Sequence, residues 1–326
     1  MGRIAVTGIA SFLGSRVLRR LVEARGGDAV VAVDIASPSA TLAVRHRELD
    51  FTEPASDQRL LDVFREEDVG TVFHAAFFTN PRRDGTYSHE LESIGTLSLL
   101  AAAAAAGVRH VVQRSFTAVY GARGQNPTYL VESRPLQPNL GLGWVRDKLE
   151  AEQHAAAFAR RYPDMKITVL RFAPLLGPGI HTFYTSIFDN RIVPVPMGYD
   201  PLVQLLHPDD ALAASLKAID AGRGGAFNIV PRAPIALLTA LHLAAKLPVP
   251  VPHVLAYPAA DLLWASGVGD APSGFVDYVR FGFLADGDRA REELGFSPVH
   301  TSRESLAAYL DYRFPRKLDQ AMEAHA

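Results

Sequence analysis

Three groups of residues in this 326-residue chain have the types and spacing to do chemistry. The first is Thr7-Gly8-Ile9-Ala10-Ser11-Phe12-Leu13-Gly14, set between an apolar strand-like run and a helical one. Glycines at such a turn let backbone approach a diphosphate, which then sits on a helix N-terminus where amides and dipole favour negative charge. The spacing G-x-x-S-x-x-G places Ser11 where a middle glycine is common. The second is Asp34, 20 residues after Gly14 at the end of the next apolar run, where a carboxylate accepts hydrogen bonds from a ribose. Such an acid repels a 2'-phosphate unless Arg16 or Arg45 compensates, so the pattern leans towards NAD(H) over NADP(H). The third is Trp144-Val145-Arg146-Asp147-Lys148. Lys148 is the first lysine of a chain that otherwise uses arginine, and a compact ammonium makes contacts that a planar guanidinium does not reproduce.

These residues need a scaffold that brings strand ends together. Ile4 to Thr7, Val30 to Val33, Thr71 to His74, His110 to Gln113 and Ile167 to Arg171 read as strands, with helical segments such as Leu13 to Ala24 and Leu97 to Ala106 between them. That alternation predicts an α/β fold, a doubly wound parallel Rossmann sheet covered by helices on both faces. After Gly177-Pro178-Gly179 the rhythm breaks, and it returns at Val203 to Ile219 and Ala226 to Val230. The expected organisation is a dinucleotide domain over 1–175 continued by 203–230, with a smaller discontinuous substrate lobe from 176–202 and 231–326. Pro248, Pro250 and Pro252 read as a stiff connection in that lobe.

Composition narrows the function classes. A formal charge of -2 gives no basic footprint for nucleic acid, and the absence of cysteine excludes disulfides, thiolate metal sites and cysteine nucleophiles. No metal site is expected, no apolar run approaches a membrane span, and the early strand leaves no room for a signal peptide, so a cytoplasmic protein is expected. Expected partners are a small-molecule substrate and at most a second copy of the chain as a homodimer.

Further motifs carry a family resemblance. Leu49-Asp50-Phe51, His74-Ala75-Ala76, Ile94-Gly95-Thr96, Val119-Tyr120-Gly121, Lys148-Leu149-Glu150, Gly177-Pro178-Gly179, His207-Pro208-Asp209-Asp210 and Glu293-Leu294-Gly295-Phe296 follow in order and spacing. In them the chain resembles the extended short-chain dehydrogenase/reductase family along nearly its whole length. The resemblance implies cofactor contacts from Gly8, Ala10, Ser11, Phe12, Leu13, Gly14, Asp34, Asp50, Phe51, Ala75, Ala76, Ser115, Lys148, Phe172 and Leu175. It also implies a catalytic Tyr-x-x-x-Lys, and here the chain departs. Trp144 stands at the tyrosine, Phe116 at the serine or threonine, and Glu92 at the asparagine of the central helix. Lys148 alone keeps its place as a catalytic-site residue, where the resemblance implies a compact ammonium between ribose hydroxyls. Indole does not titrate usefully, so Trp144 cannot act as general acid or base. Ser115 and Thr117 flank Phe116, but adjacent strand residues face opposite ways unless a bulge intervenes.

Three readings stay open on the sequence: a reductase with an unusual proton source, an inert dinucleotide-binding sensor or scaffold, and a nucleotide-sugar epimerase or dehydratase. Aromatic faces from Phe116 and Trp144, joined by Phe183, Tyr184 and Met197 and flanked by Thr117 and Tyr120, favour an aromatic ketone substrate. The chain is similar to reductases of aromatic polyketide pathways that lack the tyrosine, such as angucyclinone ketoreductases. For such a substrate, a phenol beside the carbonyl would supply the proton.

Overall fold

Among the described residues eleven strands form: Arg3–Thr7 (β1), Val30–Val33 (β2), Arg45–Arg47 (β3), Val69–His74 (β4), His110–Phe116 (β5), Lys166–Phe172 (β6), Ile192–Pro196 (β7), Leu202–Val203 (β8), Gly225–Ile229 (β9), Ile235–Ala236 (β10) and Leu247–Val251 (β11). The structure, a computed structural model, describes residues 2–139, 142–269 and 271–315. Seven strands make one parallel sheet in the order β3-β2-β1-β4-β5-β6-β9. This is a Rossmann-like α/β fold, as the strand rhythm predicts. Helices Phe12–Arg25 (α1), Ser56–Glu66 (α2), Gly85–His89 (α3), Gly95–Ala106 (α4), Gly143–Arg161 (α5), Phe183–Asp189 (α6) and Pro208–Ala221 (α7) include those that cover it.

Strand alternation divides the core between the two faces. Ile4 and Val6 join Val17, Leu21, Ala214 and Ala218 of α1 and α7 on one side. Ala5 and Val72 join Leu60, Phe64, Leu99 and Ala103 of α2 and α4 on the other. A third core, containing Leu176, Phe188, Val195, Leu205, Leu237, Leu241 and Tyr309, is drawn from 176–205 and 235–309.

Two local expectations change. The segment with Pro248 and Pro250 is no mere connection: it is β11, paired in parallel with β7. Proline lacks a ladder N–H and is confined to edges, and in a two-stranded sheet both strands are edges. The strand at Val203 lies outside the central sheet, because β8 pairs antiparallel with β10.

His74 ties the sheet to its covering helix and gives the fold a pH dependence. Its Nδ1 is 2.7 Å from the Thr7 hydroxyl and its Nε2 is 3.1 Å from that of Thr96. The Thr96 hydroxyl donates to the Glu92 carbonyl, so it accepts from Nε2 and fixes a neutral tautomer. Burial pulls this imidazole down to about 3, against an ordinary value of 6.5. The unfolded chain therefore binds more protons below pH 6.5, and the stability conferred by neutral His74 is lost as pH falls towards 3. About 2 kcal/mol should disappear between pH 7 and pH 5 on this account. Urea unfolding of His74→Gln should show a pH 7 to pH 5 loss smaller by that amount; an unchanged difference would refute the assignment.

Candidate active site

The first strand delivers its glycines to a tight turn. Gly8 has φ +69°, and a Cβ there would lie 2.3 Å from the backbone of Ala75; one on Gly14 would lie 2.1 Å from the Gly8 carbonyl oxygen. Ser11 explains its place between them, since its hydroxyl donates to Gly8 O at 2.7 Å and accepts from Gly14 N at 3.0 Å. It caps α1 and closes the turn at once. The result is the open amide-lined helix start that a diphosphate requires.

Beside it runs a cleft of about 550 Å³, lined by Gly8, Ala10, Ser11, Asp34, Asp50, Phe51, Ala75, Ala76 and Thr79 among others. The Asp34 carboxylate accepts from the Ala36 amide at 3.0 Å and the Ala10 amide at 3.4 Å, which aims it along the cleft wall. Asp50 accepts from the Thr52 amide and hydroxyl. Arg16 pairs with Asp209 and Arg45 lies near Asp28 and Glu67, so both arginines have acidic neighbours. Phe12 and Leu13 are absent from the cleft wall: Phe12 packs against Gly179 and Arg16, and Leu13 is core.

A separate aromatic slot shares Thr79 with the cleft and is walled by Phe116, Thr117, Ala118, Trp144, Phe172, Pro174, Leu175, Thr182, Phe183 and Tyr184. Its open volume is about 20 Å³, room for little more than one water. Trp144 is its keystone. The indole Nε1 donates to the Phe78 carbonyl at 3.0 Å, and the ring packs on Phe116, Phe183 and Phe275 with centroids 5.5, 5.9 and 5.6 Å away. Thr117 reaches the slot without a bulge, because β5 ends at Phe116 and a 3-10 turn over Thr117–Tyr120 takes over. The strand alternation simply stops one residue earlier.

Lys148 has a different setting from the ribose contact expected of it. Its Nζ donates to both oxygens of Glu92 at 2.7 and 2.9 Å, with no side-chain surface exposed on either residue. Trp144 and Phe116 cover it, their ring centroids 4.1 and 5.2 Å from Nζ. Burial pulls the ammonium down to about 8 despite Glu92, and burial likewise pushes the Glu92 carboxyl up. Glu92 also accepts from the Phe78 amide, so it ties the cleft-lining segment to α5. Glu92 lies in a π-helical turn, Glu90–Ile94, between α3 and α4.

Three more expected site residues sit elsewhere. Ser115 faces α5 and donates to Glu152, which also holds Arg171. Tyr120 is buried with its hydroxyl donating to Asn228 Oδ1 at 2.9 Å and accepting from Arg171 at 2.8 Å, a packing role away from the slot. Met197 is exposed beyond β7 and lines neither cavity. Sequence reasoning passed over Thr79, Arg114 and Phe275; the first lines both cavities, the second lies behind Phe116, and the third backs Trp144. Where α3 packs on α5, His89, Asp147 and Glu150 converge, with His89 Nδ1 3.1 Å from Asp147 and 3.4 Å from Glu150. Among the described residues no helix is long and apolar enough to cross a membrane.

Comparison with known proteins agrees with this architecture. The chain is 33% identical to an uncharacterized protein of Mycobacterium tuberculosis, over 99% of its own length and 86% of the relative's. It is 28% identical to the 4-hydroxy-2-methyl-3-oxo-4-farnesyl-3,4-dihydroquinoline-1-oxide ketoreductase of Stigmatella aurantiaca, covering 94% of this chain and 95% of that one. Among solved structures, the UDP-glucose 4-epimerase of Thermotoga maritima superposes with a TM-score of 0.72 at 23% identity, over 95% of this chain and 98% of that one. The sequence model of the NAD dependent epimerase/dehydratase family matches residues 4–230. With the glycine turn, Asp34 and the parallel sheet in place, the chain belongs to the NAD dependent epimerase/dehydratase family.

Proposed function

We propose that the protein is an NAD(P)H-dependent ketoreductase acting on a polycyclic aromatic ketone, the atypical, tyrosine-lacking kind of extended short-chain reductase. One observation carries the reading: the positions of a tyrosine and a serine are taken by Trp144 and Phe116, which wall an aromatic slot that shares Thr79 with the cleft beside the glycine turn. Flat rings stack against such walls. Gly8, Ala10 and Ser11 would hold the diphosphate, with Gly14 closing the turn behind them, Asp34 a ribose, and Phe172 and Leu175 the nicotinamide end. The acidic neighbours of Arg16 and Arg45 support NADH over NADPH. When bound, the reduced nicotinamide supplies hydride. The side chains orient the ketone and exclude water, and a phenol next to the carbonyl returns the proton. The ketoreductase relative supports this class, whereas sugar-nucleotide epimerisation needs base chemistry that Trp144 and Phe116 do not offer.

A second reading, a dinucleotide binder without turnover, is favoured by the small open volume of the slot. One experiment separates the two. NADH should raise the melting temperature of the wild type, and phenolic polycyclic ketones should be reduced at its expense. Asp34→Ala should weaken NADH about tenfold through loss of charge-assisted hydrogen bonds. A stabilising cofactor with no ketone turnover would leave the inert binder standing, and no thermal response to either dinucleotide would defeat both readings.

A further inference from the structure

The aromatic slot is too small for a fused ring system, its open volume being about 20 Å³, so a ketone seated against Trp144 and Phe116 must extend into neighbouring space. A cavity of about 600 Å³ adjoins the slot and shares Thr182 and Phe183 with its wall. It lies between the loop 80–84, the start of α6 and Trp264 of the helix His253–Ala265. The bay is ionic where the slot is aromatic: Arg82, Arg83 and His181 line it together with Asp84 and Asp189. Both acids are engaged. Asp189 Oδ1 accepts from Tyr309 at 2.8 Å and from Arg313 at 3.0 Å, and Asp84 Oδ1 accepts from the Tyr87 amide at 3.1 Å as the cap of α3. Arg83 is committed as well, donating to the Trp264 and Gly269 carbonyls at 3.3 and 3.1 Å with its guanidinium over the Trp264 ring.

Arg82 is the exception. Its guanidinium carbon lies 4.5 Å from the Phe78 ring centroid and 5.7 Å from that of Tyr87, and it has neither a hydrogen-bond acceptor nor a carboxylate partner among the described residues. The side chain is exposed and lines both the bay and the cleft beside the glycine turn, so a ligand in either space reaches it. Ring faces hold a guanidinium without using its N–H edge, and that planar fork matches a carboxylate. We propose that the bay receives the part of the substrate remote from the reacting carbonyl, and that this part carries a carboxylate bound by Arg82. The inference rests on the ketoreductase reading, which seats an aromatic ketone in the slot. It narrows the substrate class from aromatic ketones to aromatic keto acids.

Calorimetric titration of the NADH-loaded protein with naphthoate, and with naphthamide as its neutral counterpart, tests this without requiring turnover. Naphthoate should bind about tenfold more tightly, the scale of a charge-assisted hydrogen bond. The preference should shrink as salt is raised, because Arg82 is exposed. In Arg82→Gln and Arg82→Met the preference should vanish, while naphthamide affinity and NADH Kd stay at the wild-type values. The melting temperature should hold, since the side chain makes no hydrogen bond within the described protein. Equal affinity of the wild type for the two compounds, or a preference that survives both substitutions, overturns the proposal and leaves the ketoreductase reading standing. Loss of NADH affinity in the variants also overturns it, by giving Arg82 to the diphosphate. Binding of neither compound by protein that does bind NADH is a different result: it defeats the aromatic-substrate reading, and the inference falls with it.

Discussion

Lys148→Ala is expected to destabilise the ligand-free protein at pH 7 by about 3–5 kcal/mol, the cost of leaving one member of a buried ion pair without its partner. The carboxylate left behind is Glu92, fully buried beside the cleft-lining segment and, among the described residues, retaining only the Phe78 amide as a donor. If Lys148 instead stood free for a ribose, its removal would change the ligand-free protein little, since an exposed lysine contributes under about 1 kcal/mol. Chemical unfolding without cofactor therefore decides between the two settings. The pH dependence sharpens the test. Burial already pushes the Glu92 carboxyl up, and removing the ammonium raises it further. A carboxyl raised in the folded state binds more protons there than in the unfolded chain, so its relative stability is present at low pH and lost as pH rises through the folded value. The deficit of Lys148→Ala should accordingly be larger at pH 8 than at pH 5. Glu92→Gln combined with Lys148→Met should recover part of the loss, because Gln keeps an acceptor for Phe78 N and both members of the pair go together, while Arg114 loses the carboxylate that acts on it through space. A double variant as unstable as Lys148→Ala would place the cost in packing and sink the ion-pair account.

That pair also marks how far the sequence could be read. The glycine turn, Asp34 and the strands before them are specified by neighbours within a few residues, so β1, β2 and the turn lie where the pattern puts them. Lys148 stands out in the sequence as a retained lysine, but its partner is 56 residues away in the chain. Nothing in a helical period of 3.6 announces the π-helical turn in which Glu92 lies. Thr117 is expected at the slot and lines it, but its route there is hidden for a similar reason: alternation along β5 predicts its direction only while the strand lasts, and a 3-10 turn begins at that residue. The prolines of β11 look like a breaker because their tolerance depends on a partner strand, β7, that is remote in sequence. Arg114 is hidden by the same logic, since an arginine mid-strand looks like a surface residue until Phe116 and Thr79 are placed around it. Local turn chemistry was legible, and pairings across tens of residues were not.

Single-turnover reduction of a phenolic aromatic ketone is expected to exceed that of its methyl ether by about a hundred- to ten-thousand-fold, the range a positioned general acid contributes. The expectation rests on the ketoreductase reading and on what the side chains around the slot are already doing. The Trp144 indole N–H is donated to the Phe78 carbonyl and Phe116 has no proton to give. Ser115 donates to Glu152, and the Tyr120 hydroxyl donates to Asn228. The Lys148 ammonium is held by Glu92 behind the two rings. Tyr184 lines the slot with a buried hydroxyl that has no partner among the described residues, but burial pushes that phenol well above its ordinary range. It therefore keeps its proton, and suits a hydrogen bond to the carbonyl oxygen better than full transfer. A substrate phenol beside the carbonyl has neither constraint, since the developing alkoxide lies within its own molecule at high effective molarity. Binding of both compounds must be measured separately, so that the rates compare bound complexes. Equal single-turnover rates would rule out the substrate as the proton source and turn attention to Tyr184, where Tyr184→Phe should then abolish the step that it spares if the substrate supplies the proton.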